Sequence, residues 1–249
     1  MITTDIRDGI AEVVIKYPPV NALPVAGWFD LAATLRRLGA DANVRAVVLA
    51  ADGDGFCAGV DIKEIQRSAG HDALIAANRA CYQAFAAVYE CEVPVIAAVQ
   101  GYCLGGGIGL VGNADIIVAS EEATFGLPEV DRGALGAATH LARLVPQHKM
   151  RAMVYTAARA TARELFQFGS VLEVVERSAL RSCARRIAAQ IAKKSPTVIR
   201  AAKESLNGID PVDVKRSYRF EQGFTFELNL SGVADEARRA FVEHRDANF

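Results

Sequence analysis

The apolar positions of this chain switch repeatedly between a strand's rhythm and a helix's. Residues 10–17 alternate and are rich in β-branched side chains until Pro18-Pro19 stops them, which predicts an early strand and then a loop, PPVNALP, with Asn21 as a turn or cap residue. Residues 25–38 carry Trp28, Leu31, Leu35 and Leu38 at helical spacing and end at Gly39. Residues 44–50 form an almost unbroken apolar run, as expected of a parallel strand covered by helices on both faces. An amphipathic helix is predicted over 71–88, a buried strand over 93–99 and another over 115–119. From Leu135 onward the pattern is helical apart from a strand at 171–175, with helical blocks at 180–193, 196–206 and 212–230. The fold class is therefore α/β, either one large domain or a core with a helical extension.

Composition narrows the partners. The 249 residues are 51% hydrophobic, ample for a sizeable core. Lys and Arg total 28 against 29 Asp and Glu, so the net charge of -1 supplies no basic field for nucleic acid. An acidic ligand must be met by local charge. No apolar run approaches a membrane span and the first residues, MITTDIRDG, lack the basic and apolar regions of a leader, so a cytoplasmic protein is expected. Five cysteines with no C-x-x-C pair argue against a disulfide framework or a zinc knuckle.

The chemistry gathers in three stretches. Gly101 and the run Gly105-Gly106-Gly107 turn the 93–99 strand into a helix start, where bare N–H groups and the helix dipole suit a developing oxyanion. Gly107, Gly109 and Gly112 also satisfy G-x-G-x-x-G formally. Only Asn113 and Ala114 separate Gly112 from the next apolar run, too little for the long crossover helix of a nicotinamide-dinucleotide fold, so that reading is set aside. In the loop ADGDGFCAGVDIKEI, Asp61 is placed to cap a helix whose first turn includes Lys63. In FGLPEVDRG, Glu129 follows a proline in an apolar setting, a candidate acid or base because low polarity raises a carboxyl pKa; the plainer alternative is an exposed loop glutamate. Asp131 and Arg132 are expected to pair with each other. His140 is a candidate auxiliary base that a helical setting makes a packed histidine instead. Cys103 has no base spaced to activate it.

At FCAGVDIKE, QGYCLGGGIGL, ADIIVAS, FGLPEVDRG and LARLVP, in this order from Ala46 to Pro146, the chain resembles the crotonase, or enoyl-CoA hydratase/isomerase, superfamily. That resemblance implies a spiral of ββα units over residues 1–195 that binds acyl-CoA. It implies a C-terminal helical lobe, 196–249, that makes trimers, often stacked as hexamers. No permanently bound cofactor is implied, with coenzyme A arriving as part of the substrate. The thioester carbonyl would be held by the N–H groups of Val60 and Gly106. The loop carrying Ala58, Gly59, Val60, Asp61, Ile62 and Lys63 would line the CoA site, with Lys63 near the phosphates and Gly105 beside the acyl group.

Departures from the family pattern bear on the reaction. Hydratases of the family use two glutamates; Glu129 matches the second, while Gly109 stands at the first, and Ala137 stands where dienoyl isomerases carry an acid. Longer stretches, including FGLPEVDRGALGAATHLARLVPQH and FEQGFTFELNLSGVADE, resemble an actinobacterial subgroup linked to breakdown of steroid C and D rings. This implies hydrolytic, retro-Claisen opening of a cyclic β-keto acyl-CoA, with Gly109 making space for a bulky acyl group. An ordinary hydratase or isomerase, and a CoA-binding protein without catalysis, are the alternatives.

Overall fold

The computed structural model describes residues 1–68 and 70–248. Its first strands, β1 (Ile2–Arg7) and β2 (Ile10–Ile15), pair antiparallel across Asp8-Gly9. From β2 the chain winds in similar turns, each sending one strand to a large sheet and the next to a small one before a helix or helical turn. The turns comprise β2, β3 (Ala22–Leu23) and α1 (Val25–Ala40), then β4 (Ala46–Ala51), β5 (Gly59–Val60), α2 (Ile62–Arg67) and α3 (Asp72–Tyr89). They continue with β6 (Val95–Val99), β7 (Tyr102–Leu104) and α4 (Gly106–Val111), then β8 (Ile116–Ser120), β9 (Thr124–Gly126) and a 3-10 turn, Pro128–Arg132. After α5 (Ala138–Leu141) and α6 (Gln147–Thr156) come β10 (Arg159–Thr161), α7 (Ala162–Gln167) and β11 (Glu173–Val175). The chain ends in α8 (Leu180–Ala192), α9 (Pro196–Gly208), α10 (Val214–Leu230) and α11 (Val233–Val242).

The large sheet runs β1-β2-β4-β6-β8-β11, parallel except at the β1/β2 edge. Because successive side chains of a strand face opposite ways, each central strand feeds two cores. Val47 and Leu49 of β4, with Val95 and Ala97 of β6, face α1, α3 and α4 in the main core. Ala46, Val48 and Ala50, with Ile96 and Ala98, face Leu180, Ala184 and Ile187 of α8. Burial on both faces explains the unbroken apolar runs.

The short strands were the hardest to foresee. β1 is a largely exposed edge strand with a polar run, Thr3-Thr4-Asp5, and β7 and β9 hide in glycine-containing loops. The predicted strands at 10–17 and 93–99 start or stop closer in, at Ile15 and Val95, and α11 and the pair α6 and α7 were not separated from the helical background.

The last two helices fold back over the spiral. Glu221 of α10 accepts from Ala138 N at 2.9 Å and Thr139 N at 2.6 Å, capping α5, while Leu135 N donates to Thr225 Oγ1 at 3.1 Å. These bonds fix residues 135–139 beneath α10. On the other side α9 is pinned by a buried Lys203 Nζ, 2.7 Å from Asp115 Oδ2. Among the described residues no helix is long and apolar enough to cross a membrane.

Candidate active site

The site begins with Asn21, which holds a left-handed backbone (φ 54°) that asparagine tolerates better than most residues. Its side chain accepts from Tyr17 N at 2.7 Å and donates to the carbonyls of Asp52 (2.7 Å) and Gly55 (2.8 Å), tying two loops together. Its own carbonyl accepts from Ala58 N, and β5 then pairs parallel with β3. Gly59 (φ 97°) lies so close to the start of α4 that a Cβ on it would sit 3.2 Å from Gly106 N. The strand carrying Val60 is thus laid against the N-terminus of α4. As the first residue of that helix, Gly106 has an N–H with no intrahelical acceptor. Asp61 caps α2 as expected, its Oδ1 accepting from Lys63 N at 3.0 Å.

Glu129 reaches the same place from the fourth turn of the spiral. β9 leads into Pro128, whose fixed φ starts the 3-10 turn, and Gly133 (φ 62°) ends it. Glu129 Oε1 comes so near Gly105 that a Cβ there would stand 2.7 Å away, which is what requires glycine at 105. Glu129 Oε2 is closed to solvent and has no hydrogen-bond partner among the described residues. Burial pushes its carboxyl up to about 8, against the opposing pull of its own backbone and the Arg132 guanidinium. A carboxyl near neutrality can both accept and return a proton.

These groups share one cavity of about 480 Å³. Ala58, Val60, Asp61, Ile62, Lys63, Gly105, Gly106 and Glu129 all lie in its wall, so eight sequence-chosen residues converge. The sequence reading missed part of the wall: Cys81 and Phe85 of α3, Tyr218, Thr225 and Asn229 of α10, and Arg238 and Phe241 of α11. A helical period marks such positions as buried without saying which cavity they face.

Three chosen residues do not line it; the structure corrects the roles expected for Gly109 and Asp131, and His140 is packed as its helical setting led one to expect. Gly109 opens no space for an acyl group, because a Cβ there would strike the Phe85 ring at 2.2 Å; the glycine admits that ring. Asp131 is exposed, and the expected ion pair is not formed, since Arg132 turns instead to the Pro128 carbonyl at 2.8 Å and the face of Phe241. His140 is packed between Phe85 and Tyr218, with ring centroids 5.1 and 5.0 Å away, and neither of its nitrogens has a partner among the described residues. Burial, with a smaller push from Arg143, lowers its pKa to about 3, so it stays neutral and out of the cavity. Cys103 is fully buried and its thiol is pushed well above the usual range, as befits a structural residue.

A spiral of two-strand turns, a glycine-rich helix start and a glutamate after F-G-x-P together define a class of acyl-CoA enzymes. The enoyl-CoA hydratase/isomerase family model matches residues 5–249, and the chain belongs to that family. It is 64% identical over 97% of its length to a (7aS)-7a-methyl-1,5-dioxo-2,3,5,6,7,7a-hexahydro-1H-indene-carboxyl-CoA hydrolase of Rhodococcus jostii, covering 93% of that protein. It is equally similar, at 64% over 97%, to the hydrolase of the same name from Mycobacterium tuberculosis, covering 98% of it. Among solved structures, an enoyl-CoA hydratase/isomerase from Pseudoalteromonas atlantica superposes with a TM-score of 0.88 at 28% identity, covering 100% of this chain and 99% of that one.

Proposed function

We propose that this protein hydrolyses a carbon–carbon bond of a fused-ring keto acyl-CoA, opening the ring and leaving the thioester intact. The observation that carries the reading is the pairing of one unpartnered carboxyl, Glu129, with the Val60 and Gly106 N–H groups, in a cavity where Phe85 fills the space beside Gly109 that a second glutamate would need. Water positioning by two carboxylates, the hydratase device, has no second member here. The substrate class follows from the hydrolases at 64% identity, whose named substrate is a bicyclic diketone joined to CoA.

The ionised Glu129 takes a proton from water as its oxygen attacks a ring ketone. The bond from that carbon to the ring then breaks, and its electron pair passes into conjugation with the thioester. Two fixed N–H donors stabilise the resulting enolate oxygen, the kind of preorganised contact worth several kcal/mol. Glu129 returns its proton to the ring carbon, and the attacked carbonyl, still tethered to the ring, becomes a carboxylic acid that ionises to solvent as a carboxylate. Nothing in this sequence needs a permanently bound cofactor. Lys63, exposed at the mouth of the cavity in the first turn of α2, suits the CoA phosphates.

We also read residues 196–249 as a lobe that roofs the pocket and meets like chains in a cytoplasmic trimer or hexamer, with Ile209 at 75% and Phe220 at 70% exposure as contact points. Turnover in oxygen-18 water tests the reaction. Label in a new carboxylate of a still-thioesterified product is expected, with crotonyl-CoA hydrated poorly; efficient hydration without labelled carboxylate would overturn ring opening in favour of a hydratase, and release of free CoA would make it a thioesterase.

A further inference from the structure

Arg132 is a half-buried cation that the fold leaves without a countercharge. It ends the 3-10 turn that carries Glu129, and the two side chains share the cavity wall. Nη1 donates to the Pro128 carbonyl at 2.8 Å, and Cζ lies 4.2 Å from the centroid of the Phe241 ring. Among the described residues no carboxylate oxygen comes within 4.0 Å of the guanidinium, although Glu129 and Asp131 are close enough in sequence and charge to act on it.

A charge withdrawn from water needs partners to replace it. One carbonyl and one ring face engage a fraction of the five N–H donors that a guanidinium carries. The other cations of the cavity are accounted for differently. Arg238 binds Asn229 Oδ1 and Asp235 Oδ1, and Lys63 is exposed at the mouth. Arg132 and Glu129, three residues apart and unpaired with each other, thus present a set of N–H donors and a proton-exchanging oxygen to the same cavity.

We infer that Arg132 is an anion subsite of the acyl pocket, holding the oxygen of the attacked ketone first as the alkoxide of the water adduct and then as the carboxylate it becomes. This inference rests on the ring-opening reading. In the balance of that step, water gives its proton to Glu129 and its oxygen to the carbonyl carbon. The carbonyl π pair moves onto the oxygen facing Arg132; collapse of the adduct re-forms the carbonyl as a carboxylic acid and releases the ring carbon with its bonding pair, which Glu129 then protonates, while the acid loses its remaining proton to solvent. Planar carboxylates suit a guanidinium because two N–H groups can meet two oxygens.

Opening a fused bicycle at a ring ketone leaves one ring bearing a carboxylate arm, which sets the probes. Calorimetric titration would use CoA, cyclohexanecarbonyl-CoA and a cyclohexanecarbonyl-CoA with a carboxyalkyl arm on the ring. Arg132→Gln is expected to weaken the third ligand by roughly tenfold to a hundredfold, the worth of a charge-assisted pair. CoA and the plain thioester should change less than about twofold, and Arg132→Lys should recover part of the loss. Equal weakening of all three ligands would assign Arg132 to a CoA phosphate or to structure, and no weakening would remove the subsite; either overturns the inference. If Arg132→Gln does not fold, the wild-type preference for the carboxylate arm over its methyl ester decides, and a preference below about threefold overturns it. Because binding needs no turnover, selective binding without labelled product would sink the ring-opening reading and leave the subsite standing for another carboxyl-bearing acyl-CoA.

Discussion

Glu129 and His140 stand eleven residues apart on either side of residues 133–137, and both carry buried polar atoms with no partner among the described residues. Their surroundings part them. Glu129 sits in the cavity wall beside the N-terminus of α4, while His140 sits behind that wall among Phe85 and Tyr218. Burial drives both to their neutral forms, the carboxyl up to about 8 and the imidazole down to about 3. A perturbed pKa alone therefore does not mark a catalytic group; contact with the cavity does. Stability reports the same contrast with opposite signs. Between pH 4.5 and about 8 the folded chain holds a proton on Glu129 that the unfolded chain has lost, so this group lowers stability as pH rises. Between pH 6.5 and about 3 the unfolded chain binds a proton that His140 refuses when folded, so that group lowers stability as pH falls.

The largest effect should come from Glu129→Gln. The amide keeps shape and loses proton exchange, so turnover should fall by roughly a hundredfold to ten-thousandfold while thioester affinity stays within about tenfold. Steady-state kinetics beside titration will tell, and an active Gln variant would move the acid/base role elsewhere. Gly105→Ala comes next. Its Cβ would meet Glu129 Oε1 at 2.7 Å on a backbone with φ 56°, and displacing a catalytic carboxyl by about an ångström costs on the order of a hundredfold. Turnover equal to that of the unaltered protein would mean that the carboxyl moves freely and is not positioned by this contact. In the unaltered enzyme, kcat/KM should rise with pH toward a plateau above about 8, because the ionised carboxylate activates water. A flat profile, or one that falls through pH 8, would remove Glu129 as the base.

The glycine turn and the glutamate were legible in sequence for a physical reason. Gly59 lies against the Gly106 backbone, Gly105 against the Glu129 carboxyl and Gly106 against the Trp28 ring, and such close approaches leave glycines at fixed spacing. The pocket's far wall left no such trace. Tyr218, Thr225 and Asn229 repeat along α10 as ordinary inward-facing positions, and only the tertiary bonds from Glu221 to α5 decide that they face this cavity. The misreading of Gly109 has the same origin. A missing side chain can admit a ligand or a neighbour, and only packing distinguishes Phe85 from an acyl group. Gly109→Glu should accordingly cost stability by about 1–3 kcal/mol through overpacking, read as a lowered thermal midpoint. A midpoint unchanged from that of the unaltered protein would show that the Phe85 ring swings aside and that the acyl reading of this glycine deserves return.

The smallest expected effect is the sharpest test of the contrast between the two buried groups. His140→Leu removes two nitrogens that have no partners and puts an apolar side chain against Phe85 and Tyr218. Replacing an unsatisfied polar group with an apolar one of similar size is close to neutral or stabilising. At neutral pH the variant should therefore match the parent in turnover within about threefold. Its stability should diverge only in acid. The parent loses up to about 1.4 kcal/mol per pH unit from this residue as pH falls below 6.5, and the variant should lose that much less. Chemical denaturation at pH 7 and pH 5 measures both arms. A large loss of activity at pH 7 in a variant of undiminished stability would place His140 in the chemistry and undo the distinction drawn from cavity contact. Parallel acid curves for parent and variant would instead mean that the imidazole is hydrated or paired in solution, and that its burial does not exclude the proton.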